Sequence, residues 1–358
     1  MQVFVLLIFE PMKTFVNWGN GREKDFGVLL PLIPRDIESL VIPFLGCGDI
    51  LLNVEARKYE AGDDCDELVE MWRFVSKPQV LMLDILEGLM RDWKALEGLM
   101  DAVMARLLAV YDSYFVGALD DHFSLVNVAG RVVDDVRIDG LTVLRGWREE
   151  GLMMELRHQV VAAMERAKSA GVMDESRLKR RMLTAGKEAY FAYIVHLYNQ
   201  FGIKPQARIG ALIWMMTYAK GHAFVRDNTG AFYPDYAGTE GNGLTYGKRI
   251  ETLRDEAFFA RMGRTQFYKK DVMPMLQYLS LNWRDFIFVD PPRLAGKGKK
   301  KTKMYSPSTQ FRLADYLLHR TKVRWMVIVP VADPVLSVYQ EHKVRQVEMN
   351  DEMVIWNY

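Results

Sequence analysis

Hydrophobic positions fall into three patterns along the chain. Short apolar runs bounded by glycine, proline or acidic residues mark strands near both ends, over 40–44, 286–289 and 324–330, with a closing run over 353–358. From about 73 to 205 the period changes to that of a helix. Leu81, Leu83, Leu86, Leu89, Trp93, Leu96, Leu99, Val103 and Leu107 carry it first, and 152–167 and 177–198 repeat it. Asp174 or Ser176 suits the N-cap of the last helix. The third pattern, over 221–248, is rich in Gly, Asn, Asp and Tyr. Within it 224–232 predicts a hairpin with Asn228 to Gly230 at its turn.

Order along the chain then suggests architecture. Residues 38–72 alternate strand, turn, helix, strand, acidic turn and helix, the beginning of a βαβ unit with parallel strands. A helix around 272–279, the 286–289 strand, a helix over 309–320 and the 324–330 strand resume that alternation. The apolar start, 1–9, predicts a buried strand. It lacks the basic region and cleavage site of a leader peptide. The expectation is an α/β sheet domain built from 1–75 and 249–358, interrupted by a mostly helical insertion with a hairpin over 76–248.

Composition narrows the class. At 358 residues and 50% hydrophobic, the chain is long enough for two domains with a proper core. Its net charge of +1 requires any nucleic-acid contact to be a local patch. Two cysteines without a Cys-x-x-Cys suit a reduced, cytoplasmic protein. Six scattered histidines without a Cys/His cluster predict no metal site, and no segment is apolar for long enough to span a membrane.

Three segments carry candidate chemistry. In Pro43-Phe44-Leu45-Gly46-Cys47-Gly48, the glycines stand at a strand-to-helix turn where a ligand can approach the backbone. Asp63 and Asp64 follow the next short strand, where a carboxylate can accept bonds from ribose hydroxyls. In Phe15-Val16-Asn17-Trp18-Gly19-Asn20-Gly21-Arg22, an aromatic beside two glycines offers a flat face and open backbone. It also fits an ordinary loop before a helix. In Asp290-Pro291-Pro292, one carboxylate is delivered by an apolar strand onto two stiff prolines. Their carbonyls have few amide donors nearby, so the turn suits a neutral NH2 group held by its two hydrogens. Lys297, Lys299, Lys300 and Lys301 follow in a Gly- and Lys-rich run suited to phosphate contact beside that turn.

These segments, in this order, resemble the Dam-like class of adenine-N6 DNA methyltransferases. Asn17-Trp18-Gly19-Asn20-Gly21-Arg22 is similar to its Lys-Trp-x-Gly-Gly-Lys opening, and 41–48 through Asn53 to its Val-Glu-Pro-Phe-x-Gly-x-Gly loop with trailing Asn. Residues 224–232 resemble its Arg-x-Asn-x-x-Gly-x-Phe hairpin. Asp290-Pro291-Pro292-Arg293 resembles its Asp-Pro-Pro-Tyr, and 352–358 its closing Glu, strand and Asn-Tyr. The resemblance implies a Rossmann-like sheet binding S-adenosylmethionine through Trp18, Gly19, Gly21, Phe44, Gly46, Gly48, Asp63, Asp64 and Asp290. It implies double-stranded DNA as partner, met by Arg22, Arg226, Asn228 and the lysine run, with the target adenine flipped into the pocket. Asp290 and the Pro291 carbonyl would accept the two amine hydrogens, with Pro292 and Arg293 completing the motif. A bacterial or phage setting follows, and a homodimer is left open. Ile42 stands where the family has Glu, Asn17 and Arg22 where it has Lys, and Arg293 where it has the stacking aromatic. A guanidinium plane can stack on a base. The last change also suits altered base chemistry, or a methyltransferase-like subunit that binds DNA or a partner without transferring a methyl group.

Overall fold

The computed structural model describes residues 11–19, 21–119, 121–136, 138, 141, 149–200, 202–244, 246–292 and 306–358. The strand expected over 1–9, together with Arg293, Lys297, Lys299, Lys300 and Lys301, lies outside them. The chain divides into two compact units. The first comprises Met1–Phe15, Asn20–Pro78 and Glu251–Tyr358; the second comprises Val16–Gly19 and Gln79–Ile250.

The first unit holds a sheet of seven strands: β1 (Ser39–Ile42), β2 (Lys58–Asp63), β3 (Thr265–Lys269), β4 (Phe286–Val289), β5 (Arg324–Pro330), β6 (Arg345–Met349) and β7 (Glu352–Trp356). They lie in the order β3-β2-β1-β4-β5-β7-β6. Neighbours from β3 to β5 pair parallel, and β7 is antiparallel to both β5 and β6. This mixed, mostly parallel sheet is consistent with the Rossmann-like methyltransferase architecture.

Around it lie α1 (Phe26–Leu32), α2 (Asp49–Asn53) and α3 (Asp66–Val75), then, after the second unit, α10 (Glu256–Met262), α11 (Val272–Tyr278), α12 (Pro307–Asp315) and α13 (Val335–Gln340). All four residues of β4 are buried, as a central parallel strand covered on both faces requires. Val41, Ile287, Val289, Trp325, Val327 and Ile355 belong to one buried cluster with residues of α11, α12 and α13. At the start of β4, the buried Asp285 carboxylate accepts from the Ser39 and Asn282 amides, pinning β4 beside β1.

Five longer helices make up most of the second unit: α4 (Val80–Phe115), α5 (His122–Val133), α6 (Glu149–Ser169), α7 (Glu175–Tyr198) and α8 (Pro205–Tyr218). The short α9 (Gly247–Glu251) leads out of it. Asp174 caps α7 by accepting from the Arg177 amide at 2.8 Å, and Ser176 donates to Asp174 instead of capping. Trp93, Tyr190, Trp214 and Tyr218 pack together at the centre. The buried Lys187 ammonium is held by Glu97, the Asn242 carbonyl and the Trp93 face. The expected hairpin is a tight turn with one Arg226–Phe232 bridge and no longer ladder. Asp227 closes it by accepting from the Thr229 and Ala231 amides.

Candidate active site

The strand order turns about between β1 and β4, two parallel neighbours whose following segments leave from the same sheet edge. In open sheets of this type, such a switch point opens a crevice for ligands. Here the glycine loop follows β1, and Asp290-Pro291-Pro292 follows β4.

The glycine loop is built from the backbone outward. Leu45 donates to the Gly62 carbonyl of β2 at 2.8 Å, and Gly48 donates back to Leu45 at 3.0 Å. Gly46 and Gly48 adopt φ of 51° and 80°, in the left-handed region where a side chain is strained. They differ in their surroundings. A Cβ on Gly48 would lie 2.3 Å from the Trp72 ring, so this glycine makes room for packing from α3. A Cβ on Gly46 would meet nothing within 4 Å, so backbone there is open to a ligand. Phe44 is half-buried against the sheet core. Burial, reinforced by neighbouring Asp49, keeps the Cys47 thiol well above its usual pKa and therefore protonated.

Asp63 ends β2 beside this loop. One carboxylate oxygen accepts from the Cys65 amide at 3.1 Å, and the other faces the Gly46 amide at 3.5 Å. Burial pushes this carboxyl up to about 7, with Asp64 adding to the rise and the two amides opposing it. Asp64 is exposed, and its carboxyl is also raised, by partial desolvation and the nearby Asp271 charge.

Asp290 is held by Arg22. The guanidinium Nε donates to Oδ2 at 2.7 Å and Nη2 to Oδ1 at 2.5 Å, a bidentate pair. The same guanidinium donates to Glu352 and approaches Asp25 at 3.4 Å. Burial pushes the Asp290 carboxyl up, while Arg22, bonding to its charged form, pulls the other way. Burial also works against the Arg22 charge, but its bonds to Asp290 and Glu352 outweigh that and hold it above its usual value. Pro291 is half-buried and Pro292 exposed.

The first unit therefore contains Gly21, Arg22, Phe44, Gly46, Gly48, Asp63, Asp64, Asp290, Pro291 and Pro292. Trp18, Gly19, Arg226 and Asn228 belong to the second. There Trp18 stacks on Phe224 at 5.2 Å, Phe224 stacks on Phe232 at 4.3 Å, and Gly19 donates to the His222 carbonyl. Arg226 lies over Phe224 and donates to Gly230, while Asn228 is exposed at the turn. Arg22, expected to face DNA, has instead a nearly buried guanidinium engaged by carboxylates. Sequence reasoning missed Asp25 and Asp49 altogether, and Glu352 entered only as the first residue of a closing motif. No local signal marks them, because the partners are far apart in the chain. Among the described residues, no group of His, Cys, Asp and Glu could hold a metal ion, and no helix is long and apolar enough to cross a membrane.

No protein-family model matches the chain. Over 95 residues it is 30% identical to the modification methylase StsI of Streptococcus sanguinis. That stretch covers 26% of this chain and 14% of the relative, so the match spans a small part of the relative's own length. The similarity supports a relationship to methyltransferases.

Proposed function

We propose that the chain is a DNA adenine-N6 methyltransferase of the Dam-like class that uses S-adenosylmethionine. One observation carries this reading most: Asp290-Pro291-Pro292 emerges beside the open Gly46 backbone at the switch point of a mostly parallel sheet. The residues present fit the cofactor. Gly46 leaves space at the backbone, and Asp63 offers a half-buried carboxylate at the end of β2 suited to ribose hydroxyls. When bound, S-adenosylmethionine supplies an electrophilic methyl group.

The chain's own residues prepare the amine. Asp290 and the Pro291 carbonyl accept its two hydrogens, which turns the nitrogen lone pair away from them. The prolines contribute no competing backbone donors. Positioning and fixed electrostatics of this kind, and not covalent catalysis, supply the rate. The base reaches the turn only when flipped out of its duplex. The second unit carries recognition, and the lysines at 297, 299, 300 and 301 hold the phosphate backbone.

A second reading, a subunit that binds without transferring a methyl group, has one observation on its side: Arg22 already engages both oxygens of Asp290. Each carboxylate oxygen has a second acceptor site, so engagement by Arg22 does not exhaust it. The test is incubation of the protein with duplex DNA and methyl-labelled S-adenosylmethionine. We expect label on N6 of adenine, falling to background in Asp290→Ala. Tight DNA binding without cofactor binding or transfer would decide for the second reading.

A further inference from the structure

The arrangement around Arg22 has more organisation than an ion pair needs. Its backbone amide donates to Asp49 Oδ2 at 2.5 Å, from the first residue of α2, directly after the glycine loop. That approach depends on Gly21, because a Cβ there would lie 2.5 Å from the same Asp49 oxygen. The guanidinium itself is gripped by the buried Glu352 at the start of β7, and its Nη1 also approaches the buried Asp25 before α1. Its Nε and Nη2 edge meets Asp290, with Nη2 shared between Asp290 and Glu352. Four carboxylates on four chain segments thus fix one arginine, and three of them serve to aim it at the fourth.

We propose that Arg22 is a positioning residue for the methyl-transfer reaction: it locks the Asp290 carboxylate in one orientation, with Glu352, Asp25 and Asp49 as its anchors. This rests on the reading of Asp290 as the acceptor of an amine. Asp290 directly follows the buried strand β4 but has two side-chain torsions of its own. The bidentate pair removes that freedom and leaves one acceptor site on each oxygen in a defined direction. The charged groups facing Asp290 are Arg22, Glu352 and Asp25, with the neutral Cys47 thiol nearby. Arg22 is therefore the cation that opposes the effect of burial on the carboxylate, which still stands above its usual value. A lysine would supply the charge without the fork.

Two measurements on the intact protein separate this inference from the functional reading. The first is a carbon-13 titration of the carboxyl groups in wild type, R22Q and R22K, with D290N used to assign the signal. The Asp290 carboxyl should titrate at higher pH in R22Q than in wild type, with R22K between them. The second is methyl transfer. R22Q should lose roughly ten- to a hundredfold in kcat, a loss of the size seen when an orienting partner is removed. KM for S-adenosylmethionine should stay within about twofold, and the acidic limb of the kcat–pH profile should move to higher pH. E352Q should show the same changes in smaller measure. If R22Q fails to fold, R22K and E352Q carry the same readouts. An unmoved Asp290 titration, or wild-type kcat and pH profile in folded R22Q, overturns the inference. Absence of transfer by the wild type sinks the functional reading, and the titration then judges the Arg22 clamp separately.

Discussion

Asp63 and Asp290 are both half-buried carboxylates at strand ends, and desolvation pushes both up, but against different opposition. Asp290 has a guanidinium against it. Asp63 has two amides opposing the rise and a like-charged neighbour adding to it, and its carboxyl rises to about 7. Hydroxyl groups donate more strongly to a carboxylate than to a neutral acid. If Asp63 holds a ribose, affinity for an adenosine-containing ligand should rise about tenfold between pH 6 and pH 8, following the ionised fraction. Calorimetric titration with S-adenosylhomocysteine would measure it, and Asp63→Asn should flatten the dependence. Stability runs the other way. The folded protein holds this proton more tightly than the unfolded chain does, so the stabilisation is complete below about pH 4 and is lost as pH rises through 7.

At the scale of elements, the two glycines of the β1 loop separate packing from ligand approach. Gly48→Ala places a methyl group into Trp72 and forces an alanine to positive φ, so it should cost roughly 1–3 kcal/mol. Gly46→Ala meets only the φ penalty and an open space. It should cost about 1 kcal/mol while weakening cofactor binding more than Gly48→Ala does in the protein that remains folded. Thermal unfolding and calorimetry on the two variants would check the contrast. The pattern of burial also explains what could be read from the chain. β4, β5 and the long α4 carry continuous apolar runs or a helical period, and they occur where those patterns place them. β3 and β6 escaped because Thr265–Lys269 and Arg345–Met349 are mostly polar and lie at the two edges of the sheet, where little apolar surface is demanded. α8 escaped for the opposite reason: eleven of its residues are buried, which erases periodicity. Arg22 was legible as a motif residue but not as Asp290's partner, since hydrophobic pattern holds no information about which distant carboxylate a cation will meet.

Across the whole molecule, each unit has its own core. The second contains a buried aromatic cluster and a satisfied buried lysine. A fragment of 79–250 should therefore fold alone into a helical protein. It should be less stable than the same region of the full chain, because it lacks the Trp18 ring on Phe224. Circular dichroism would test this, with a non-cooperative melt as the contrary result. The sheet poses a different demand. Its central pair joins Leu40 to Phe286, with almost all of the second unit lying between them in the chain. On a ribosome, β1 and β2 emerge first and must wait, with apolar faces uncovered, until the helical region and then β4 have been made. Domains tend to fold as units during synthesis, and late pairing of distant strands is slow. The helical region thus forms while the sheet is still half-built, and the nascent chain passes through a stage in which β1 is a candidate for chaperones.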